Sequence, residues 1–156
     1  RHLEAADRIA VWRGASALEK VGLRGKPLAR MACAAGAILE KAIVLDNIYY
    51  DLDKAEIRPD AAVELDKLVK ILIDNPTIRI ELSSHTDSRS SDTYNLDLSQ
   101  RRAQSAVDYM VTKGVAAERL VAKGYGETQL IIKDAKTEEE HQVNRRTEFK
   151  VIEIKE

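Results

Sequence analysis

The 156-residue chain has little cysteine, few aromatic residues and no long hydrophobic run. A single cysteine, Cys33, excludes a framework of internal disulfides. No apolar stretch approaches the roughly 18 residues that a membrane-spanning helix requires. Aromatic residues make up only 4% of the chain, so the hydrophobic core must consist mainly of aliphatic side chains. The net charge is −1, which argues against a general electrostatic attraction to nucleic acid.

The length suits one domain and an extension, and a change in composition predicts where the two meet. Residues 1–42 are rich in Ala, Arg and Gly, with helix-like segments at 3–11 and 30–42, and we interpret them as an extension or linker. Residues 43–156 carry regular hydrophobic patterns and are predicted to form the domain. Because the chain begins with Arg1 rather than Met, we expect a fragment or a processed product.

Strand-like and helix-like segments alternate along this domain. The predicted strands occupy residues 42–50, 78–83, 119–124 and 147–154. Apolar side chains spaced three and four residues apart predict two helices, the first running from Pro59 to the stop at Asn75-Pro76. The second has Ser99 as its predicted N-cap and ends at Gly114, and a short polar helix is predicted around 138–140. This alternation predicts an α/β sandwich whose helices cover one face of the sheet.

A polar stretch between the second predicted strand and the second predicted helix carries the residues best suited to bind a ligand. Asp87 follows the strand, and Arg102 falls in the predicted first turn of the helix, where free N–H groups and the helix dipole favour an anion. The guanidinium can hold a carboxylate through two hydrogen bonds, and Asp87 can accept from an ammonium. Together they would suit an amino-acid end group. The alternative is a salt bridge between Asp87 and Arg102 that joins loop to helix.

Other kinds of site have weaker support in the sequence. His85 and Asp87 could suggest a metal site, but no second histidine is near, and His141 lies in a charged segment, so neither a metal nor a cofactor is predicted. No serine lies in a nucleophile-elbow pattern and no base with an orienting partner is evident, so we predict no enzyme. There is no glycine-rich phosphate loop. The pair Arg145-Arg146 is too small a basic cluster to indicate nucleic-acid binding.

Several motifs, in this order along the chain, resemble the OmpA C-terminal-like family, which includes Pal and MotB. The polar stretch matches the family's TD element at Thr86-Asp87 and its N-x-x-L-S-x-x-R-A pattern from Asn95 to Ala103. Further matches lie outside it, at residues 49–54, 124–127 and 144–146. The resemblance covers roughly residues 43–154, with Ser83-Ser84-His85 standing where the family commonly has E-G-H.

The resemblance implies a βαβαβ(α)β core on a mixed four-stranded sheet. It also implies non-covalent binding of peptidoglycan, with the diaminopimelate of the stem peptide held by Asp87 and Arg102. We therefore expect a non-enzymatic cell-wall anchor in the periplasm of a diderm bacterium, joined to the outer membrane only through a part that precedes residue 43. The rival interpretations are a structural or partner-binding domain without a ligand and a hydrolase that acts on the wall.

The resemblance adds further candidates for the ligand site, namely Asp53, Thr86, Asn95, Leu98 and Arg145. Asp53 matches a loop that lines the pocket in the family, and the alternative is a turn residue paired with Lys54 or Arg58. Asn95 either contacts the ligand or fixes its own loop by local hydrogen bonds. Leu98 is expected to be both pocket wall and core. Either Arg145 or Arg146 is expected to support the ligand carboxylates, and the sequence does not distinguish them.

Overall fold

The computed structural model describes residues 10–12, 42–45 and 48–154. Within these ranges the chain forms five strands, three α-helices and one turn of 3-10 helix. In chain order they are β1 (Ala10–Trp12), β2 (Ile43–Leu45), α1 (Pro59–Asp74), β3 (Ile78–His85), α2 (Asp92–Thr112), the 3-10 turn (Ala117–Arg119), β4 (Leu120–Gly126), α3 (Glu138–Asn144) and β5 (Arg146–Ile154).

The strands form one mixed sheet in the order β1-β2-β5-β3-β4. Strand β5 runs antiparallel to β2 and β3, whereas β4 runs parallel to β3, so α2 connects two parallel neighbours. The predicted α/β fold with a mixed four-stranded sheet is confirmed, and β1 adds a short fifth strand beside β2. Ala10 and Val11 are therefore in a strand, and the helix predicted over 3–11 is wrong at its end. The rest of that segment and residues 30–41 lie outside the described residues.

One hydrophobic core lies between the sheet and helices α1 and α2. Because residues two apart in a strand share a face, Ile78, Ile80 and Leu82 all point to the helices. The buried side chains that meet them are mostly aliphatic, as expected from the composition: Ile43, Leu45, Leu65, Leu68, Leu72, Ala106, Met110 and Val151, with Phe149 among them. The helices thus cover one face of the sheet, as predicted.

Helix α1 begins and ends where the sequence predicts. Pro59 is at its first position, where the missing N–H has no helical partner to lose. At the other end, the backbone N–H and the side-chain amide of Asn75 both donate to the carbonyl of Ile71, at 3.0 and 2.8 Å. Pro76 then prevents the helix from continuing.

Arg119 joins the end of α1 to the start of β3. Its Nη2 donates to the carbonyls of Leu72 and Asn75, at 2.7 and 2.8 Å, and its Nε donates to the carbonyl of Ile78 at 3.1 Å. A cation at a helix C-terminus also faces the negative end of the helix dipole. The arginine therefore holds two elements together through main-chain groups alone.

Helix α2 starts earlier than predicted. Its N-cap is Ser91, whose hydroxyl accepts from the N–H of Tyr94 at 3.3 Å, so the prediction of Ser99 as N-cap is wrong. Ser99 is fully buried inside the helix, where its hydroxyl donates to the carbonyl of Leu96 and accepts from the N–H of Gly126. The predicted stop is confirmed, because Gly114 has a φ of +107° directly after the helix.

The close approach of α2 to β4 requires a glycine. A Cβ on Gly124 would lie 2.2 Å from the backbone nitrogen of Gln100. Without it, the side chain of Gln100 accepts from the N–H of Gly124 at 2.8 Å and donates to the carbonyl of Ala122 at 3.2 Å. The side chain of Gln100 thus satisfies backbone groups on the edge of β4, and α2 packs closely against that strand.

Candidate functional site

A cavity of about 520 Å³ lies at the C-terminal end of β3. Its walls come from residues 48–53, from the loop between β3 and α2, from α2 itself, and from α3 with the start of β5. The fold brings all seven predicted ligand-binding residues to these walls: Asp53, Thr86, Asp87, Asn95, Leu98, Arg102 and Arg145. Motifs that are far apart in the sequence therefore meet around one space.

Asp87 is held by two arginines. The backbone N–H of Arg89 donates to Oδ1 at 3.0 Å, and its Nε and Nη2 donate to Oδ2 at 3.1 and 2.8 Å. Arg145 donates from Nη1 to the same Oδ2 at 2.6 Å. Burial by itself raises the pKa of Asp87, but the hydrogen bonds from Arg89 and Arg145 outweigh it and lower the pKa to about 2. The carboxylate is therefore ionised at any physiological pH.

The same two arginines also bind Glu138 at the start of α3. Arg89 donates from Nη1 to Oε2 at 2.8 Å, and Arg145 donates from Nη2 to Oε1 at 2.5 Å. These four side chains form a closed loop of alternating charges, which we call the charge ring: Asp87, Arg89, Glu138 and Arg145. Asp87 is buried, whereas Glu138 is exposed and Arg89 is half-exposed. The ring connects the β3–α2 loop to α3 and leaves its outer members open to solvent.

Arg102 is held by main-chain carbonyls of the loop at residues 51–54 rather than by carboxylates. Its Nε donates to the carbonyl of Lys54 at 2.8 Å, and its Nη2 donates to the carbonyl of Asp51 at 3.2 Å. The guanidinium carbon lies 4.7 Å from the centre of the Tyr50 ring, and the hydroxyl of Tyr50 donates to the carbonyl of Arg102 at 3.2 Å. Within the described part of the chain, Nη1 of Arg102 has no hydrogen-bond partner. The side chain is thus held in place, while the N–H groups of Nη1 remain available to a ligand.

The structure excludes the alternative of an Asp87–Arg102 salt bridge and corrects the predicted position of Arg102. Asp87 and Arg102 do not pair with each other, because Asp87 binds Arg89 and Arg145 while Arg102 binds main-chain carbonyls. Arg102 is also not in the first turn of a helix, since α2 begins at Asp92 and Arg102 lies roughly three turns inside it. The helix dipole therefore contributes little at Arg102, and only its own guanidinium can bind an anion there.

Asp53 is in a strained backbone conformation at the edge of the cavity. Its φ of +58° is in the left-handed region, which Asp tolerates better than most residues. The hydroxyl of Tyr94 donates to its Oδ1, and this bond raises the pKa of Tyr94. Neither base named in the alternative pairs with it within residues 48–154, because Arg58 binds Asp51 and Asp60 and no ion pair joins Lys54 to Asp53. Backbone strain of this kind is concentrated at functional sites.

The other predicted residues shape the loop and the wall. The side-chain amide of Asn95 donates to the carbonyls of Asp87 and Ser90, at 3.1 and 3.2 Å, and to Glu127 at 3.1 Å. Asn95 therefore fixes its own loop by local hydrogen bonds, which is one of the two roles that the sequence allows. The hydroxyl of Thr86 donates to the carbonyl of Asp87 at 2.9 Å. Leu98 is buried and supplies an apolar part of the wall.

Arg145 and Arg146 both line the cavity, but they have separate partners. Arg145 binds Asp87, whereas Arg146 is buried and donates from Nε to Oε2 of Glu148 at 2.9 Å. Nε2 of His85 lies 3.1 Å from the same oxygen, and the imidazole stacks on Tyr125 with 5.2 Å between ring centres. Burial, and then the positive charge of Arg146, lowers the pKa of His85 to about 3. This histidine is therefore neutral in the fold.

Four residues that line the cavity were not predicted as part of the site: Arg89, Glu138, Tyr50 and Tyr94. Tyr50 lies in the matched motif at 49–54, and Tyr94 directly precedes the motif that starts at Asn95. Arg89 lies two residues from Asp87, and that spacing is the only local hint. Glu138 is 49 residues from Arg89, too far apart for a local pattern to link them. Among the described residues, no cluster of three or more His, Cys, Asp or Glu could hold a metal ion, and no helix is long and apolar enough to cross a membrane.

Comparisons with known proteins agree with this architecture. A family model described as the OmpA family matches residues 49–145. A segment of photosystem I P700 chlorophyll a apoprotein A2 from Gloeobacter violaceus is 38% identical over 109 residues, which are 67% of this chain and 12% of that protein. Outer membrane porin F of Pseudomonas fluorescens is 37% identical over 105 residues, which are 67% of this chain and 32% of that protein.

Among solved structures, the cell wall anchor of the T6SS from Pseudomonas aeruginosa has a TM-score of 0.61 at 25% identity. The match covers 81% of this chain and 97% of that one. The chain thus spans almost all of one solved domain, but only about a third or less of the curated relatives it matches.

Proposed function

Because this chain belongs to the OmpA family, we propose that it binds peptidoglycan non-covalently through the diaminopimelate of the stem peptide. The domain would act in the periplasm of a diderm bacterium and would hold to the wall whatever precedes residue 43. It would do so by binding alone, without a chemical step. The likeness to a solved cell wall anchor and to an outer membrane porin supports this location and role.

One observation carries the proposal: two opposite charges line the same cavity without pairing with each other. Asp87 and Arg102 come from different elements, and each is held in place by other groups of the protein. The free end of diaminopimelate carries an ammonium and a carboxylate on one carbon. A site for such a group needs both charges, and it needs them fixed before the ligand arrives.

The geometry suggests a role for each residue. Arg102 would bind the carboxylate through the donors of Nη1, and Asp87 would accept from the ammonium. Leu98 would contact the aliphatic chain of the ligand, and Asn95 would keep the β3–α2 loop in shape. Arg145, next to Asp87, would add positive charge for a second carboxylate.

The charge ring favours a second candidate, a structural domain without a ligand. Both oxygens of Asp87 already accept hydrogen bonds from Arg89 or Arg145, so the ring could serve only to tie the β3–α2 loop to α3. In that case a change at Asp87 would lower stability and alter no binding. The two candidates therefore predict different results when a ligand is titrated into an Asp87 variant.

Isothermal titration with a diaminopimelate-containing muropeptide tests the proposal. We expect Asp87→Asn and Arg102→Ala each to weaken binding by at least about tenfold, because each removes a charged hydrogen-bonding partner in a partly buried site. Replacing the diaminopimelate by L-lysine, which lacks the second carboxylate, should weaken binding to the native protein as well.

The chain offers matched controls. Asp97 and Arg101 form an exposed pair on α2, at 2.8 Å, and neither lines the cavity. Asp97→Asn and Arg101→Ala should therefore bind as the native protein does. Native affinity in folded Asp87→Asn and Arg102→Ala would contradict the proposed site. Release of soluble fragments from intact sacculi would favour the hydrolase instead.

A further inference from the structure

The side chain of Arg89 is bonded to Asp87, the carboxylate at which a ligand ammonium would bind. Its Nε and Nη2 both donate to Oδ2, and Arg145 donates to the same oxygen. Oδ2 thus accepts three hydrogen bonds, while Oδ1 accepts one from a backbone N–H. An ammonium that binds Asp87 has to share this carboxylate with the arginines or replace one of them.

The side chain of Arg89 can leave without unfolding the loop. The turn at residues 87–89 is held by the backbone N–H of Arg89 on Oδ1, which does not depend on its side chain. Asn95 fixes the same loop through the carbonyls of Asp87 and Ser90. The side chain of Arg89 is half-exposed, whereas that of Arg145 is three-quarters covered. Of the two arginines, Arg89 is the one that can move.

Glu138 gives Arg89 a second anionic partner. The two are bonded at 2.8 Å through Nη1, a nitrogen that Asp87 does not use. If Nε and Nη2 leave Asp87, the guanidinium therefore still has a carboxylate beside it. The pair with Glu138 lowers the cost of exchanging Arg89 for a ligand at Asp87.

We propose that Arg89 is a specificity-determining residue that competes with the ligand ammonium for Asp87, and that Glu138 retains its guanidinium after displacement. This rests on the proposed function, since it assumes that an ammonium binds at Asp87. An ammonium donates to a carboxylate much more strongly than a neutral amide N–H does. A ligand whose amine is acylated therefore gains too little at Asp87 to displace Arg89.

The test is a titration of the muropeptide into Arg89→Ala, Glu138→Gln and the double variant. Arg89→Ala should bind about threefold more tightly, as expected when a half-exposed competing ion pair is removed. Glu138→Gln should bind more weakly by a similar factor, because both arginines then depend on Asp87 alone. The double variant should bind more tightly than Glu138→Gln, since Arg89 no longer competes for Asp87, whereas Arg145, which Glu138 also binds, is present in both.

The ligand supplies a further control. The gain from Arg89→Ala should disappear when the diaminopimelate amine is acetylated, and Arg101→Ala should bind both ligands as the native protein does. Binding that is weaker or unchanged in Arg89→Ala would overturn the competition but leave the proposed function standing. Absence of binding in both the native protein and Arg89→Ala would overturn both. Binding by Arg89→Ala alone would support both.

Discussion

Arginines hold both ends of β3, but they hold them in different ways. At the start of the strand, Arg119 donates to three main-chain carbonyls, those of Leu72, Asn75 and Ile78. Beyond the end of the strand, Arg89 and Arg145 donate to the carboxylates of Asp87 and Glu138. One end is fixed by backbone groups, and the other is fixed by side chains that carry charge.

The difference separates stability from binding. A main-chain carbonyl belongs to a helix or a strand, so no cation from solution can take the place of Arg119 without disturbing both elements. A carboxylate in a partly exposed ring can exchange one cation for another at little structural cost. The start of β3 is therefore suited to hold the fold, and its end is suited to exchange partners with a ligand.

Acid should have the largest effect on the difference between the two ends. His85 and Asp87, whose pKa values are lowered in the fold, both lie at the C-terminal end of β3. The pKa of His85 is about 3 in the fold and near 6.5 in an unfolded chain, so the unfolded state binds the proton more tightly. The free energy of unfolding should fall as the pH drops below about 6.5 and should level off near 3, for a total loss of roughly 5 kcal/mol. Asp87, with a pKa of about 2, acts in the same direction over a lower range of pH.

Denaturant unfolding at several pH values measures this loss, and His85→Gln isolates its source. The variant removes the imidazole, so its stability should depend much less on pH between about 7 and about 4. Hydrogen exchange in acid should increase first at residues 84–87 and 146–148, before residues 78–80. An equal pH dependence in the native protein and His85→Gln would show that the histidine is not responsible.

Arg119→Ala should lower the stability of the fold without changing ligand binding at the other end of β3. It removes three hydrogen bonds from a charged donor, so we expect the free energy of unfolding to fall by about 2 kcal/mol. Arg101→Ala, which breaks an exposed pair on α2, should cost less than about 0.5 kcal/mol. The folded Arg119→Ala protein should keep native affinity for the muropeptide. A loss of affinity would mean that the two ends of β3 are coupled.

The elements that the sequence predicts well are those whose signal is local. The apolar spacing of α1 and its terminal Pro59 and Asn75 define a helix with little ambiguity, and its bounds agree with the structure. The seven candidate residues meet at one cavity because they belong to ordered motifs that resemble a known family. In each case a few neighbouring residues carry the information.

The elements that the sequence misses depend on distant partners. The first turns of α2 bury two polar residues, Asn95, which bonds to the preceding loop, and Ser99, which bonds to the end of β4, so the apolar pattern begins too late to mark Ser91 as the N-cap. The strand β1 has only three residues, and its partner β2 is 33 positions away. The charge ring joins residues 87, 89, 138 and 145. No periodicity relates such positions before the chain folds.

The smallest effect we expect concerns the loop at residues 51–54, which supplies Leu52 and Asp53 to the cavity wall. Arg102 holds this loop through two carbonyls, and the hydroxyl of Tyr94 holds it through Asp53. Tyr94→Phe removes only the last of these bonds, at an exposed position, so muropeptide affinity should fall by about twofold. Tyr109→Phe is the matched control, because its hydroxyl donates to an exposed aspartate, Asp66, at 2.6 Å and it does not line the cavity. If both variants lost affinity equally, the loss at Tyr94 would not be specific to the cavity, and the bond between Tyr94 and Asp53 would have no part in binding.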